Sequence, residues 1–311
     1  AKSVHRAAIQ IKQAIRAGGR SVRVVPNKAP ELSSAQVIHN RLLTANGWEL
    51  LLLKDGAKTI IAQTVKVQDI EAYTRRDLER PFRDPRVGQL PPKLAQIIIN
   101  LAAGLLPPEA TESICAVGPD QPIPSPYFQG SLLLDPFCGS GVILQEAAIM
   151  GYNSIGSDVD RRMISYARSN IEWLIRLPDS PYHSQVKVNF ELGDAKNHHW
   201  TGALSMVASE TNLGRPLAGP SSSAAINRQK QECHDLILAF LNNLAGQIKA
   251  GSRICLAIPA WPTSGGFVRL PLLDSKGGID YNLVSFRSGE PLIYYRPNQL
   301  VARELIVLTR K

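Results

Sequence analysis

Apolar and polar residues repeat with two different periods along this chain, and the change from one pattern to the next marks out its elements. Between residues 2 and 17, Val4, Ala7, Ile9, Ile11 and Ile15 fall mostly at helical spacing, and Gly18-Gly19 closes the run where a C-cap is expected. Residues 21–25 alternate as a short strand, Pro26 and Pro30 punctuate a loop, and Ser33-Ser34 can cap a helix that runs through Val37, Ile38, Leu42 and Leu43. Residues 49–53 and 59–65 read as two strands, with the hairpin signal Asp55-Gly56 between them. Together these predict a small α/β module. A charged, proline-bearing passage, RRDLERPFRDPRVGQLPP, follows at residues 75–92 and reads as a linker, which places a domain boundary near Arg76.

Beyond the linker, residues 93–106 have the apolar spacing of a helix, and six prolines make residues 107–130 a loop. Strands and helices then alternate. Strands are predicted at 131–135, 154–158, 186–192, 204–208, 253–259, 282–286 and 305–308, with helices at 142–150, 161–176 and about 224–250. That order implies an α/β fold with a doubly wound, mostly parallel sheet and a C-terminal antiparallel strand. Such sheets bind ligands outside the carboxyl ends of their strands.

Composition narrows the picture in three ways. The hydrophobic fraction, 44%, is ordinary for a globular chain, and no apolar run approaches the ~18 residues that span a bilayer. The four cysteines, Cys115, Cys138, Cys233 and Cys255, stand singly without zinc spacing, which points to reduced thiols and a cytoplasmic location. The net charge of +9 is unevenly spread: residues 1–93 hold 17 Lys and Arg against 8 Asp and Glu, whereas the remainder holds 18 of each. A basic leading half joined to a neutral one suggests an electrostatic footprint for a polyanion; a solvated basic surface without a partner is the alternative. The chain starts at Ala1, inside a predicted helix, as a truncated N-terminus would.

The candidate chemistry begins at Asp135-Pro-Phe-Cys-Gly-Ser-Gly141, where a buried strand turns into a helix and two glycines let the backbone press against a ligand. The next strand ends at Asp158, where a carboxylate can accept from both hydroxyls of an adenosyl ribose, and the third ends at Asp194, which could accept from an adenine amine. The same three aspartates would also serve as helix N-caps. A nicotinamide enzyme could share this arrangement, but GxGxxG is absent and no Tyr-xxx-Lys pair is present. Methyl transfer from S-adenosyl-L-methionine fits better.

The stretch DPFCGSGVILQEAAIMGYNSIGSDVD resembles the first two cofactor motifs of the THUMP-containing tRNA guanine-N2 methyltransferase family of archaea and eukaryotes. RDLERPFRDPRVGQLPPKLAQIIINLA resembles that family's lead-in, and YYRPNQLVARELIVLTRK its closing strand pair. The likeness runs from about Lys58 onward. It implies a Rossmann-like class I methyltransferase domain over residues 77–311, preceded at 1–76 by a basic THUMP-like RNA-binding module. It also implies S-adenosyl-L-methionine as cofactor and tRNA as partner, and leaves open a small activator subunit such as the eukaryotic relatives use. Asp135, Phe137, Gly139 and Gly141 would line the methionine end of the cofactor, Asp158 the ribose and Asp194 the adenine.

In such enzymes the fourth strand is followed by DPPY or NPPY, whose oxygens hold an exocyclic amine while the aromatic ring stacks on the base. A guanine amine is a weak nucleophile, so acceptors must orient it and take up the positive charge it develops. Here the aligned residues are Glu210-Thr-Asn-Leu-Gly214. Glu210 keeps an acceptor, Asn212 could add one, and Leu213 offers apolar contact without stacking. Retuned catalysis by Glu210, Asn212 and Leu213 is the reading adopted. Two alternatives stand beside it: an rRNA or DNA amino-methyltransferase, and a non-catalytic RNA-binding protein that keeps the fold. Arg75, Arg76, Arg80, Arg83 and Arg86 could meet phosphates or simply belong to a charged linker. Trp261 could wall the base pocket, Tyr294 reads as hairpin packing, and His198-His199 is assigned no metal.

Overall fold

The computed structural model describes residues 2–83, 89–104, 131–180, 182, 185–215, 223–271, 280–286, 289–297 and 299–311. The proline-rich segment, Arg86 and Cys115 lie outside these residues. Contacts divide the chain into a first unit, Ala1–Thr74, and a second that begins at Arg75.

The first unit holds helices α1 (Lys2–Ala17) and α2 (Ser34–His39) and strands β1 (Leu50–Asp55) and β2 (Lys58–Gln63). Ser33 caps α2 as a capping box, its hydroxyl accepting from the Gln36 amide while the Gln36 side chain accepts from the Ser33 amide. β1 and β2 form the antiparallel hairpin signalled by Asp55-Gly56, paired from Leu50↔Gln63 to Asp55↔Lys58. Leu50, Leu52, Leu53, Ile60 and Ile61 on it are exposed. Residues 21–25 are not a strand: nothing described pairs with them, and alternation without a ladder partner does not hold a strand in water.

The second unit is built on one sheet. After α3 (Ile70–Leu78) and α4 (Pro92–Ala103) come β3 (Leu132–Asp135), α5 (Val142–Ile149), β4 (Asn153–Asp158), α6 (Arg161–Arg176), β5 (Val188–Leu192) and β6 (Leu204–Glu210). The chain continues with α7 (Ser223–Ala245), β7 (Ile248–Thr263), β8 (Gly266–Val268), β9 (Tyr281–Leu283), β10 (Leu292–Tyr294) and β11 (Ala302–Arg310). The strand order is β10-β11-β7-β6-β3-β4-β5, with β8 on the end of β7 and β9 sharing the β11 edge with β10. β5, β4, β3, β6 and β7 run parallel, and β11 runs antiparallel to β7. The order reverses between β3 and β6, so a crevice opens there at the carboxyl ends.

Strand alternation sends neighbouring residues to opposite faces. Leu133, Met206, Ala208, Cys255 and Ala257 pack with Leu94, Ile98 and Ile99 of α4 and Val142 and Ile143 of α5. Leu134, Val207, Ile254 and Leu256 pack with Ile237, Phe240 and Leu244 of α7. Helix α7 stops at Ala245 rather than near 250, because Gly246 follows and β7 begins at Ile248. No helix among the described residues is long and apolar enough to cross a membrane.

The passage that reads as a linker is partly structural. Arg75–Leu78 complete α3, and Arg76 and Arg80, a helical turn apart, are buried. Arg76 donates to both oxygens of buried Glu146 on α5, at 2.7 and 3.3 Å, and Gln96 donates to the same carboxylate at 2.7 Å. Arg75 instead meets Glu79 at 3.8 Å.

Candidate active site

Four strand ends contribute carboxylates to one cavity of about 360 Å³. Asp135 ends β3, Asp158 ends β4, Asp194 follows β5 and Glu210 ends β6, and all four line it. Phe137, Gly139, Asn212 and Leu213 line it too, so every residue singled out in the sequence as catalytic or cofactor-binding meets there except Gly141. Gly141 acts from behind. It is the N-cap of α5 at φ +85°, and a Cβ on it would lie 3.0 Å from the Ala167 Cβ of α6.

The turn is held by its neighbours. The Gly139 amide donates to Asp158 at 3.0 Å, and the Cys138 amide donates to the Ser157 carbonyl at 2.9 Å. Gly139 has φ +49° and nothing within 4 Å of a Cβ position, so the cavity reaches its bare backbone. Beneath the turn, a Cβ on Gly156 of β4 would come 2.3 Å from the Leu144 Cδ1 and 3.1 Å from the Cys138 Cβ. The missing side chain lets α5 and the turn settle onto the strand.

An adenosyl cofactor fits these donors and acceptors. Each Asp158 oxygen has taken one backbone donor, Gly139 or Asp160, and keeps lone pairs for a ribose diol. Asp194 accepts from the Lys196 amide at 3.0 Å and pairs with its ammonium at 3.3 Å, keeping acceptor capacity at a partly exposed position. Phe137, Val159, Met163 and Leu236 supply apolar wall. His198, beside this strand end, bonds Glu191 at 2.7 Å and lies so close under Gly193 that a Cβ there would meet its ring at 2.2 Å.

Electrostatics distinguish Asp135 from the rest. It is 1% exposed, and burial pushes its carboxyl up to about 7; donors from Ser209, at 2.5 Å, and Phe137 oppose that shift, while the Asp158 and Glu210 carboxylates add to it. Because the folded value lies above the ordinary 3.8, the stability this group contributes is complete below about pH 4 and is lost as pH rises through about 7. Asp135→Asn keeps an acceptor for Ser209 and Phe137 without the titration. Its stability should therefore fall less than that of the wild type between pH 4 and 7, leaving it more stable at pH 8 by on the order of a few kcal/mol. Urea unfolding at four pH values checks this, and parallel profiles would show that Asp135 does not titrate there.

Glu210 is held by a residue that sequence reasoning missed. Arg303 of β11 donates from its Nε to Glu210 Oε1, and burial raises the Glu210 carboxyl while Arg303 opposes the rise. Among the described residues no donor is found for Oε2. Asn212 is engaged locally as well: its side-chain oxygen accepts from the Gly214 amide at 2.8 Å, where the loop folds back with Gly214 at φ +90°. Thr211 is buried against the Ala257 carbonyl. Trp261 is 1% exposed within β7 and does not line the cavity, so it is core rather than pocket wall. The signal for Arg303 was a lone cation in the apolar run ARELIVL, where a buried strand demands a partner.

Comparison with known proteins places this arrangement. Residues 125–176 match the family described as RMKL-like, methyltransferase domain. The tRNA (guanine(10)-N2)-dimethyltransferase of Methanothermobacter thermautotrophicus is 28% identical over 218 residues, 68% of this chain and 51% of that protein. The enzyme of the same name from Methanocaldococcus jannaschii is 31% identical over 113 residues, 36% of this chain and 25% of that one. The chain thus spans about half the length of the first of these relatives. Among solved structures, TrmN from Thermus thermophilus aligns with a TM-score of 0.47 at 16% identity, covering 92% of this chain and 70% of that one. The second unit has the class I fold of S-adenosylmethionine-dependent methyltransferases, and the chain is similar, over part of its length, to the tRNA (guanine(10)-N2)-dimethyltransferases of these two organisms.

Proposed function

We propose that this protein transfers a methyl group from S-adenosyl-L-methionine to the exocyclic N2 of a guanosine in tRNA, with the basic leading residues 1–76 acting as a THUMP-like RNA-docking module. The observation that carries the reading is that Glu210 lines the same cavity as the acidic strand ends of the cofactor-binding arrangement. The activity named for these relatives supports guanine N2 as the acceptor. A cytoplasmic location follows from the substrate.

When bound, the cofactor supplies an electrophilic methyl on a sulfonium. The chain's own residues supply orientation and charge. Glu210, fixed through Oε1 by Arg303, offers Oε2 to the amine, stabilises the positive charge that develops on nitrogen as its bond to the methyl carbon forms and the carbon–sulfur bond breaks, and accepts the proton that nitrogen then sheds. Leu213 gives the base an apolar wall, and Asn212, whose oxygen accepts from the Gly214 amide, shapes the loop and keeps a second lone pair toward the amine.

Incubation with labelled S-adenosylmethionine and separate tRNA, rRNA and DNA pools, followed by nucleoside mass spectrometry, tests this. Methylated N2-guanosine in tRNA alone is expected. Label in rRNA or DNA would replace the substrate assignment, and cofactor binding without transfer to any pool would make the protein a non-catalytic binder.

A further inference from the structure

One side chain of the cavity remains without a role. Arg80 is 2% exposed and lines the cavity, yet among the described residues none of its three guanidinium nitrogens has a hydrogen-bond partner. A guanidinium stays charged in proteins and carries five donors, so burying it unpartnered costs several kcal/mol. The described residues around it do not supply the missing acceptor. Asp77 and Glu146 exert an attractive field and Arg83 a repulsive one, but Glu146 already accepts from Arg76 and Gln96.

Arg80 is also held in place. Two residues on, the Phe82 amide donates to the Asn170 side-chain oxygen at 3.0 Å, and the Asn170 amide donates to the Phe82 carbonyl at 2.9 Å and the Ser140 carbonyl at 2.8 Å. Phe82 stacks on Tyr166 at 4.6 Å. The segment bearing Arg80 is thereby tied to Ser140, in the turn that precedes α5. That turn ends in the α5 N-terminus, whose amides favour negative charge.

We propose that Arg80 is the oxyanion receptor of this cavity, its guanidinium fork taking two oxygens of a ligand carboxylate or phosphate. Resting on the methyltransferase reading, its tie to Ser140 assigns it the amino-acid carboxylate of S-adenosylmethionine; a phosphate of the target nucleotide offers the same chemistry. The fork geometry suits either group in a bidentate pair.

The test measures calorimetric affinities of the full chain, wild type, Arg80→Gln and Arg80→Lys, for two ligand pairs that each differ by the anion alone. The pairs are S-adenosylmethionine with its decarboxylated form, and guanosine 5′-monophosphate with guanosine. Arg80→Gln should weaken S-adenosylmethionine by roughly 10- to 100-fold and leave the decarboxylated compound unchanged, with Arg80→Lys between. If guanosine monophosphate shows the loss instead, the oxyanion is the substrate's phosphate and the receptor role stands. If neither pair's gap narrows, the proposal is overturned. Should the wild type bind neither adenosyl compound, the methyltransferase reading falls while the guanosine pair still reads Arg80. Melting of the ligand-free proteins supplies a second readout. Arg80→Gln should melt at or above the wild-type temperature, and a clear drop would mark Arg80 as a structural cation and overturn the assignment.

Discussion

Glu210→Gln is expected to slow methyl transfer to tRNA by about 10²–10³-fold while S-adenosylmethionine binds as before. The split follows from position. Glu210 ends β6, whereas the groups suited to ribose and adenine end β4 and follow β5, so the substitution removes negative charge at the acceptor end only. Glutamine is the informative replacement because it leaves an oxygen for the Arg303 Nε. Alanine would strand a guanidinium that is 4% exposed, at a cost of about 3–5 kcal/mol, and lost activity would then be indistinguishable from lost folding. Single-turnover rates and cofactor affinity on the same preparation separate the two effects. Undiminished transfer by Glu210→Gln would leave the carboxylate's charge without a part in the reaction.

The largest stability effect is expected at Glu146, which does not itself line the cavity. Glu146→Ala should destabilise the second unit by about 3–5 kcal/mol, read as a shift in its urea midpoint. The carboxylate is 1% exposed, accepts from Arg76 and Gln96, and supplies attractive field to Arg80, so its removal leaves two buried guanidiniums without it. Replacing Arg76 and Glu146 together with Met and Leu should cost less than Glu146→Ala, because only Arg80, and no longer Arg76, then lacks the carboxylate. A double variant whose loss equals the sum of the single losses would show that the pair is not coupled.

These two sites also show what the chain discloses and what it conceals. Asp135, Asp158 and Asp194 could be found by reading, because each sits at or just after the end of a strand-like run, the first two before a helical one, and parallel strands bring such ends together. The hairpin was legible from Asp55-Gly56. The ion pairs were not. Arg76 finds Glu146 across 70 residues and Arg303 finds Glu210 across 93, and no local pattern carries a pairing that only the packed sheet creates. For the same reason residues 75–92 read as a linker: charge and proline signal exposure unless a distant carboxylate takes the arginines inside. Asn212 illustrates the opposite limit, since its type was compatible with substrate contact but the Gly214 amide had the nearer claim.

The bare backbone at Gly156 sets a rule for redesign. The Leu144 side chain of α5 and the Cys138 side chain of the turn pack directly onto β4 there, so the floor of the cavity has no slack to yield to a larger cofactor analogue. The walls differ. Met163, Leu213 and Leu236 are flexible side chains that smaller residues could replace. Engineering the protein to accept bulky sulfonium analogues, and so to transfer groups larger than methyl as chemical tags, should succeed through those three positions and fail through the turn.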